Sequence, residues 1–418
     1  MRHPWTLLPA LALAFACDSA SAPDASSEPR RDASATPEDA GPPLDASSAL
    51  DAGRAPDAGS EVRPCDGPLP APTGVLGLLR HGERVEVTGT CFGERAVATP
   101  LEWDDAESAY DEVVDGASVP TGDGYPFAGN PDGRIRFATA ASRSVRGVSR
   151  AHYLGDGAEH NHNTLRGHDY GRTEAHREMY LSWYVRLDAR SSDRASAKLL
   201  RLWAGDHNGR TYRLSWTTMH LTYGYSEDRG TEADPWATTS HTLADTPSWS
   251  TWSGEDALEA WHRVELYFRQ SSSPDDADGR ILCLTDGRVE HDLTAATWIA
   301  ERPARPEELR DRPRFGDDPP NRLALIGLDP SVPIGDYVVE LDDVYVDSTL
   351  ARVELCDVAR WSDRPGATCE IQPESAWGDD RVGVQLNRGA LADGDAYLYV
   401  IRPDGAVNEE GLAVRLGG

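Results

Sequence analysis

The stretch from Trp261 to Asp286 constrains the fold more than any other part of the chain. It reads Trp-His-Arg-Val-Glu-Leu-Tyr-Phe-Arg, a Ser/Asp/Gly-rich gap, then Arg-Ile-Leu-Cys-Leu-Thr-Asp. Both halves alternate with a period of two, which makes a β-hairpin. His262, Val264, Leu266 and Phe268 share one face, and Arg263, Glu265, Tyr267 and Arg269 share the other. The first face is core. The second carries arginine, glutamate and tyrosine in a row and is expected to lie open and meet a polar ligand. The same signal recurs at Gly133 to Thr139, Ser144 to Tyr153, Met179 to Leu187, Lys198 to Trp203, Tyr212 to Thr217, Arg322 to Leu328 and Tyr337 to Asp347. Helical periodicity is scarce and Gly, Pro and Asp separate the segments, so the fold class is all-β, an antiparallel sandwich. Residues 301–321, rich in Pro, Arg and Asp, form a long excursion of the kind that more often serves function than packing.

With 418 residues the chain has room for two or three domains, yet its hydrophobic content is only 39%. Much of the deficit sits in residues 18–63, where Asp, Ala, Ser, Pro and Gly dominate and aromatic residues are absent. No apolar face there offsets the entropy of ordering, so the segment is expected to be a disordered stalk. Residues 1–17 explain a stalk. A basic start precedes an apolar run from Trp5 to Phe15, too short to span a bilayer as a mature helix, and the pattern is that of an export signal. Its end, Leu13-Ala-Phe-Ala-Cys17, resembles the lipidated cysteine of bacterial lipoproteins, which implies a cell-envelope location and a membrane partner through the lipid; plain secretion is the alternative.

An exported chain meets oxidising conditions, so the other cysteines are free to pair. The short-loop pairs are Cys65 with Cys91 and Cys356 with Cys369, leaving Cys283 on its strand, and spacing alone leaves connectivity open. No Cys-x-x-Cys is present, and no metal or cofactor is expected beyond a structural calcium at Asp342, Asp343 and Asp347, a weaker reading than solvated acids. Net charge is −29, and the stalk's ten acids and four arginines account for only a small part of it. So acidic a body is a poor partner for nucleic acid and favours neutral or weakly charged glycans, unless arginines gather locally.

Three resemblances organise the rest. Val85-Glu-Val-Thr-Gly-Thr-Cys-Phe-Gly93, Trp377-Gly-Asp-Asp-Arg-Val-Gly-Val384 and Asp395-Ala-Tyr-Leu-Tyr-Val-Ile-Arg-Pro-Asp-Gly405 resemble early and late strands of the immunoglobulin-like IPT/TIG module. Neither half has strands enough to close a sandwich, so residues 64–103 and 357–418 are expected to fold together as a split module, two separate small modules being the alternative. Met179-Tyr-Leu-Ser-Trp-Tyr-Val-Arg-Leu-Asp188, Lys198-Leu-Leu-Arg-Leu-Trp203, Trp261 to Phe268 and Leu341-Asp-Asp-Val-Tyr-Val-Asp347 are similar to successive strands of concanavalin-A-like jelly rolls, assigned to residues 104–356. Arg263-Val-Glu-Leu266 resembles the Arg-x-Glu-Leu strand of alginate-lyase-like enzymes, which implies Arg263 in a substrate groove. No counterpart of the family's Gln-Ile-His or Tyr-x-Lys-x-Gly-x-Tyr strands is present.

The expected function is therefore surface carbohydrate binding in the jelly-roll groove, with a polysaccharide lyase on the same groove and a non-catalytic adhesive protein as alternatives. Candidate groove residues are Arg263, Glu265, Tyr267 and Lys198, the only lysine among forty arginines. His162, in a histidine-rich loop, is a further candidate base because imidazole titrates near neutrality. Trp203, Trp249, Trp252 and Trp261 are candidate stacking platforms for sugar rings. Arg263 and Glu265 pairing across a solvated face is the plainer alternative.

Overall fold

The computed structural model describes residues 69–130, 133, 135–139, 143, 178–187, 258–269, 279–292 and 338–417 in full. It gives the backbone alone for strands at 152–156, 165–167, 196–204, 211–217, 220–228, 238–242, 249–253, 293–294 and 320–328. The leader with Cys17, the stalk, Cys65 and His162 lie outside the described residues.

Strands follow one another throughout, and no α-helix occurs among the described residues. First come β1 (Ala71–Leu76), β2 (Arg84–Thr90), β3 (Glu102–Asp104), β4 (Phe127–Gly129), β5 (Arg136–Ala138), β6 (His152–Asp156) and β7 (Leu165–Gly167). Next are β8 (Glu178–Leu187), β9 (Ser196–Ala204), β10 (Thr211–Thr217), β11 (His220–Asp228), β12 (Thr238–Thr242), β13 (Trp249–Ser253), β14 (Trp261–Arg269), β15 (Arg280–Thr285) and β16 (Arg288–Thr294). Last are β17 (Pro320–Leu328), β18 (Val338–Asp347), β19 (Arg352–Cys356), β20 (Cys369–Gln372), β21 (Glu374–Trp377), β22 (Arg381–Gln385), β23 (Gly394–Ile401) and β24 (Leu412–Leu416).

Two eight-stranded antiparallel sheets form the larger part. One runs β16-β15-β14-β8-β18-β6-β5, with β3 also on β18; the other runs β12-β11-β10-β9-β17-β7-β4, with β13 on β11. The hairpin expected at 261–286 is β14–β15, with Leu266 opposite Cys283. Its continuation into β16 turns through Asp286 (φ 49°) and Gly287 (φ 72°), the two positive φ angles of a two-residue hairpin turn, which Asp-Gly adopts at little cost. Alternation sends Val264, Leu266 and Phe268 to the apolar side together with Met179, Leu181 and Trp183, their register partners on β8.

A smaller sandwich pairs β1-β2-β22-β21 with β20-β19-β23-β24. Strands from both ends of the described chain share its first sheet, with Val85 opposite Val384 and Val87 opposite Val382. Those valines pack with Phe92, Val353, Leu355, Leu398 and Val400 into one core. Cys356 and Cys369, directly opposed on β19 and β20, are joined as a disulfide. Cys91 is also disulfide-bonded, and Cys283 is free and buried.

Candidate functional site

The face of β14 expected to be open is covered. Three rows of side chains cross β14, β8 and β18 on this side: Arg263–Tyr184–Asp342, Glu265–Ser182–Tyr345 and Tyr267–Tyr180–Asp347. All but the partly buried Tyr184 are buried, and Glu265 is 0% exposed. The cover is the small sandwich, through β19, β20 and the loop between them. β14 and β19 carry the same tetrapeptide, Arg-Val-Glu-Leu, at 263–266 and at 352–355. In each copy alternation puts Val and Leu into the strand's own apolar core and leaves Arg and Glu for the seam.

The two copies interlock. Arg263 donates through Nη1 and Nη2 to the Glu354 carboxylate at 3.0 and 3.1 Å, and Arg352 Nη2 approaches Glu265 at 3.6 Å. Arg352 Nε bonds Glu354 at 2.6 Å while its guanidinium carbon sits 4.4 Å over the Tyr180 ring. Arg364, from the β19–β20 loop, bonds both acids, with Nη2 2.7 Å from Glu265 Oε2 and Nε 3.2 Å from Glu354 Oε2. Arg263 is further fixed by Ser182 and the Cys369 carbonyl, and the Tyr180 hydroxyl donates to Glu265. Burial by itself raises a carboxylate's pKa, but here Arg263, Arg364 and Arg352 outweigh it and hold Glu354 well below the usual range. Glu265 is lowered for the same reason, chiefly by Arg263 and Arg364.

Two further ion groups flank this centre. Arg143 pairs with Asp343 and Glu370 and lies 3.6 Å over the Tyr184 ring. Arg95 pairs with Asp347, whose carboxylate also accepts from the Tyr345 hydroxyl at 2.6 Å; the same hydroxyl is 2.9 Å from Glu374. One phenolic proton does not serve two carboxylates, so a second proton on Glu374 completes the set. Burial accordingly pushes Glu374 up to about 8 and Asp347 to about 6.

At one end of the seam a cavity of about 340 Å³ opens, lined by Trp261, His262 and Arg263 of β14, Tyr184, Arg143, the Asp286–Gly287 turn, Arg364, residues 366–369 and Ala390. The turn builds this cleft. Asp286 Oδ1 accepts the Arg263 backbone N–H (2.9 Å) and its Oδ2 lies 2.7 Å from His262 Nδ1, while the Asp286 carbonyl accepts from the Gly366 N–H at 2.8 Å. A methyl on Gly287 would come within 2.9 Å of the Arg364 carbonyl oxygen, so only glycine lets the turn lie so close to the small sandwich. On the opposite wall the Tyr184 hydroxyl donates to the Cys369 carbonyl at 2.8 Å. Gly287→Val is expected to weaken ligand binding at least tenfold, read by titration, because it strains the turn and fills the gap.

Of the residues expected at the site, Arg263 and Trp261 line this cleft. Glu265 and Tyr267 do not: Glu265 neutralises arginines and Tyr267 is buried in a cluster with Tyr180, Tyr345, Leu350 and Ile371. Open access fails for them because the small sandwich occupies the face. His262, assigned to the core by alternation, instead stands at the strand's start beside Asp286, part-exposed. Lys198 and Trp203 are on β9 and Trp249 and Trp252 on β13, strands of the other sheet. Lys198 is opposite Ser215, and Trp249 opposite Thr222. Asp342, Asp343 and Asp347 do not converge as ligands; among the described residues the only close group of three is Glu354, Cys356 and Cys369, whose sulfurs are in the disulfide. Sequence reasoning missed Tyr184, Asp286 and Arg364. The Thr-Asp-Gly-Arg turn was a readable signal for Asp286, whereas Arg364 sits in a loop with no motif.

No protein-family model matches the chain, and no curated protein does. Solved structures with a similar fold include the cellulose induced protein Cip1, at 13% identity and TM-score 0.35, over 59% of this chain and 94% of that one. The alginate lyase vAL-1 from Chlorella virus matches at 10% identity and TM-score 0.35, over 51% and 89%. The binding domain of Paraclostridial Mosquitocidal Protein 1 matches at 7% identity and TM-score 0.31, over 64% and 69%. Likenesses this low transfer no role to this chain.

Proposed function

We propose that this chain is an exported carbohydrate-binding protein, lipid-anchored at Cys17 on the cell envelope and holding a split IPT/TIG-like module against a concanavalin-A-like jelly roll. The carrying observation is the cleft at the seam. Its volume is at the lower end of the range for small-molecule sites, sized for one or two sugar rings rather than a long chain. Trp261 offers an aromatic face for sugar C–H surfaces, and the His262–Asp286 pair offers polar groups for hydroxyls. Retention of the protein in affinity gels cast with a panel of neutral and acidic polysaccharides tests this reading. Retention is expected, with about a tenfold loss of affinity in Trp261→Ala; passage through every gel at the rate of an inert protein would sink it.

A second reading is favoured by one feature: a carboxylate-oriented imidazole beside an arginine-lined cleft, the parts that β-elimination on a uronic acid needs. New absorbance of an unsaturated uronate, abolished in His262→Ala, is the expected result for a lyase, and retention with no absorbance returns the cleft to binding alone.

A further inference from the structure

The central ion group is short of negative charge, and the shortage opens on the cleft. Arg263, Arg352 and Arg364 share two carboxylates, Glu265 and Glu354, with the Tyr180 and Ser182 hydroxyls as neutral partners. Arg263 has donated to acceptors through all three of its nitrogens. Arg364 has not. It is only 3% exposed, its Nε and Nη2 bond Glu354 and Glu265, and its Nη1 donates to none of the described residues. Nη1 lies beside Gly287, where a methyl group would stand 3.2 Å from it, and both residues line the cleft. The Arg364 guanidinium carbon also lies 4.8 Å from the centre of the Trp361 ring, and a guanidinium with one nitrogen left for the cleft attracts an oxyanion through charge-assisted hydrogen bonds. The one acid in the cleft wall, Asp286, makes no ion pair with Arg364; its oxygens face His262 Nδ1 and the Arg263 N–H.

We propose that the cleft selects a sugar bearing one oxyanion, a carboxylate or a sulfate ester, which docks on Arg364 Nη1 while the ring lies along Trp261. This rests on the carbohydrate reading and sharpens it: the local arginines reverse the preference for neutral sugars that the overall charge of −29 suggests. A charge-assisted hydrogen bond in a partly desolvated site gives a discrimination of roughly tenfold or more over the uncharged analogue.

The test is calorimetric titration of the full chain at low ionic strength with galactose, galacturonate, galactose 6-sulfate and inorganic sulfate. The expected result is that one or both acidic sugars bind at least tenfold tighter than galactose, and their relative affinities distinguish carboxylate from sulfate. Arg364→Lys, which keeps the charge and loses the fork, is expected to erase most of that margin; should it not fold, the ligand series on the unaltered chain decides. Equal binding of galactose and the acidic sugars overturns the oxyanion site and leaves the sugar reading standing. Binding of inorganic sulfate with no sugar bound retains the oxyanion site and removes the sugar. No binding of any probe overturns both.

Discussion

Glu354→Ala is expected to cost on the order of 3–5 kcal/mol of folding stability, the scale for removing one partner from a buried ion group. Glu354 is the acid to which Arg263, Arg352 and Arg364 all bond, and all three are at most 4% exposed. After the substitution only Glu265 remains for three buried cations. The penalty is large against a typical total of about 5–15 kcal/mol, so the variant is best prepared at low temperature. Denaturant midpoints measure it, with Glu410→Ala as the control. Glu410 pairs with Arg360 at 3.2 Å in an exposed position, and such pairs contribute about 1 kcal/mol or less. A Glu354→Ala loss no larger than the control would mean that the seam is not what holds the two sandwiches together.

Stability is expected to peak at mildly acidic pH and to fall as the pH is raised from 6 to 9. Glu374, pushed up to about 8 by burial, and Glu102, pushed to about 8 by burial and the neighbouring Asp104, bind a proton more tightly in the folded chain than in the unfolded one. Stability from such a raised group is fully present below the unfolded value and is lost as pH rises through the folded value. Asp343 and Asp347, each at about 6, lose theirs earlier, between the ordinary aspartate value and about pH 6. Glu354 and Glu265 run the other way: being lowered, they stabilise above the ordinary glutamate value and lose that contribution only in stronger acid. At about 1.4 kcal/mol per pKa unit, Glu374 alone removes on the order of 3 kcal/mol between pH 6 and 9. Thermal melts across this range check the sign, and Glu374→Gln, neutral at every pH, should flatten the alkaline fall. A melting temperature that climbs from pH 6 to 9 would contradict the account.

Much of the fold is legible in residue order. Period-two alternation in Trp261–Arg269 and Arg280–Thr285 specifies the hairpin and its apolar face, and the structure pairs these strands in register. The cover on the other face is not legible in the same way, because alternation says which side chains share a face and nothing about what lies over it. A strand of Arg, Glu and Tyr looks identical whether water or a second domain meets it. The available clue was non-local: the repeated Arg-Val-Glu-Leu at 263–266 and 352–355, two stripes whose charges complement each other when opposed. The cleft depends on this same docking. Trp261 and Arg263 could be picked as aromatic and cationic candidates, but Tyr184 and Arg364 become neighbours only once β20 and its loop sit on β8 and β14.

Hydrogen–deuterium exchange of the full chain with and without a retained glycan tests the placement of the binding site most directly. The seam cleft predicts added protection at residues 261–263, 285–287 and 364–369, with the rest of the backbone unchanged. Protection confined to β9 and β13, the strands that carry Lys198, Trp203, Trp249 and Trp252, would place the sugar on the opposite sheet and contradict it.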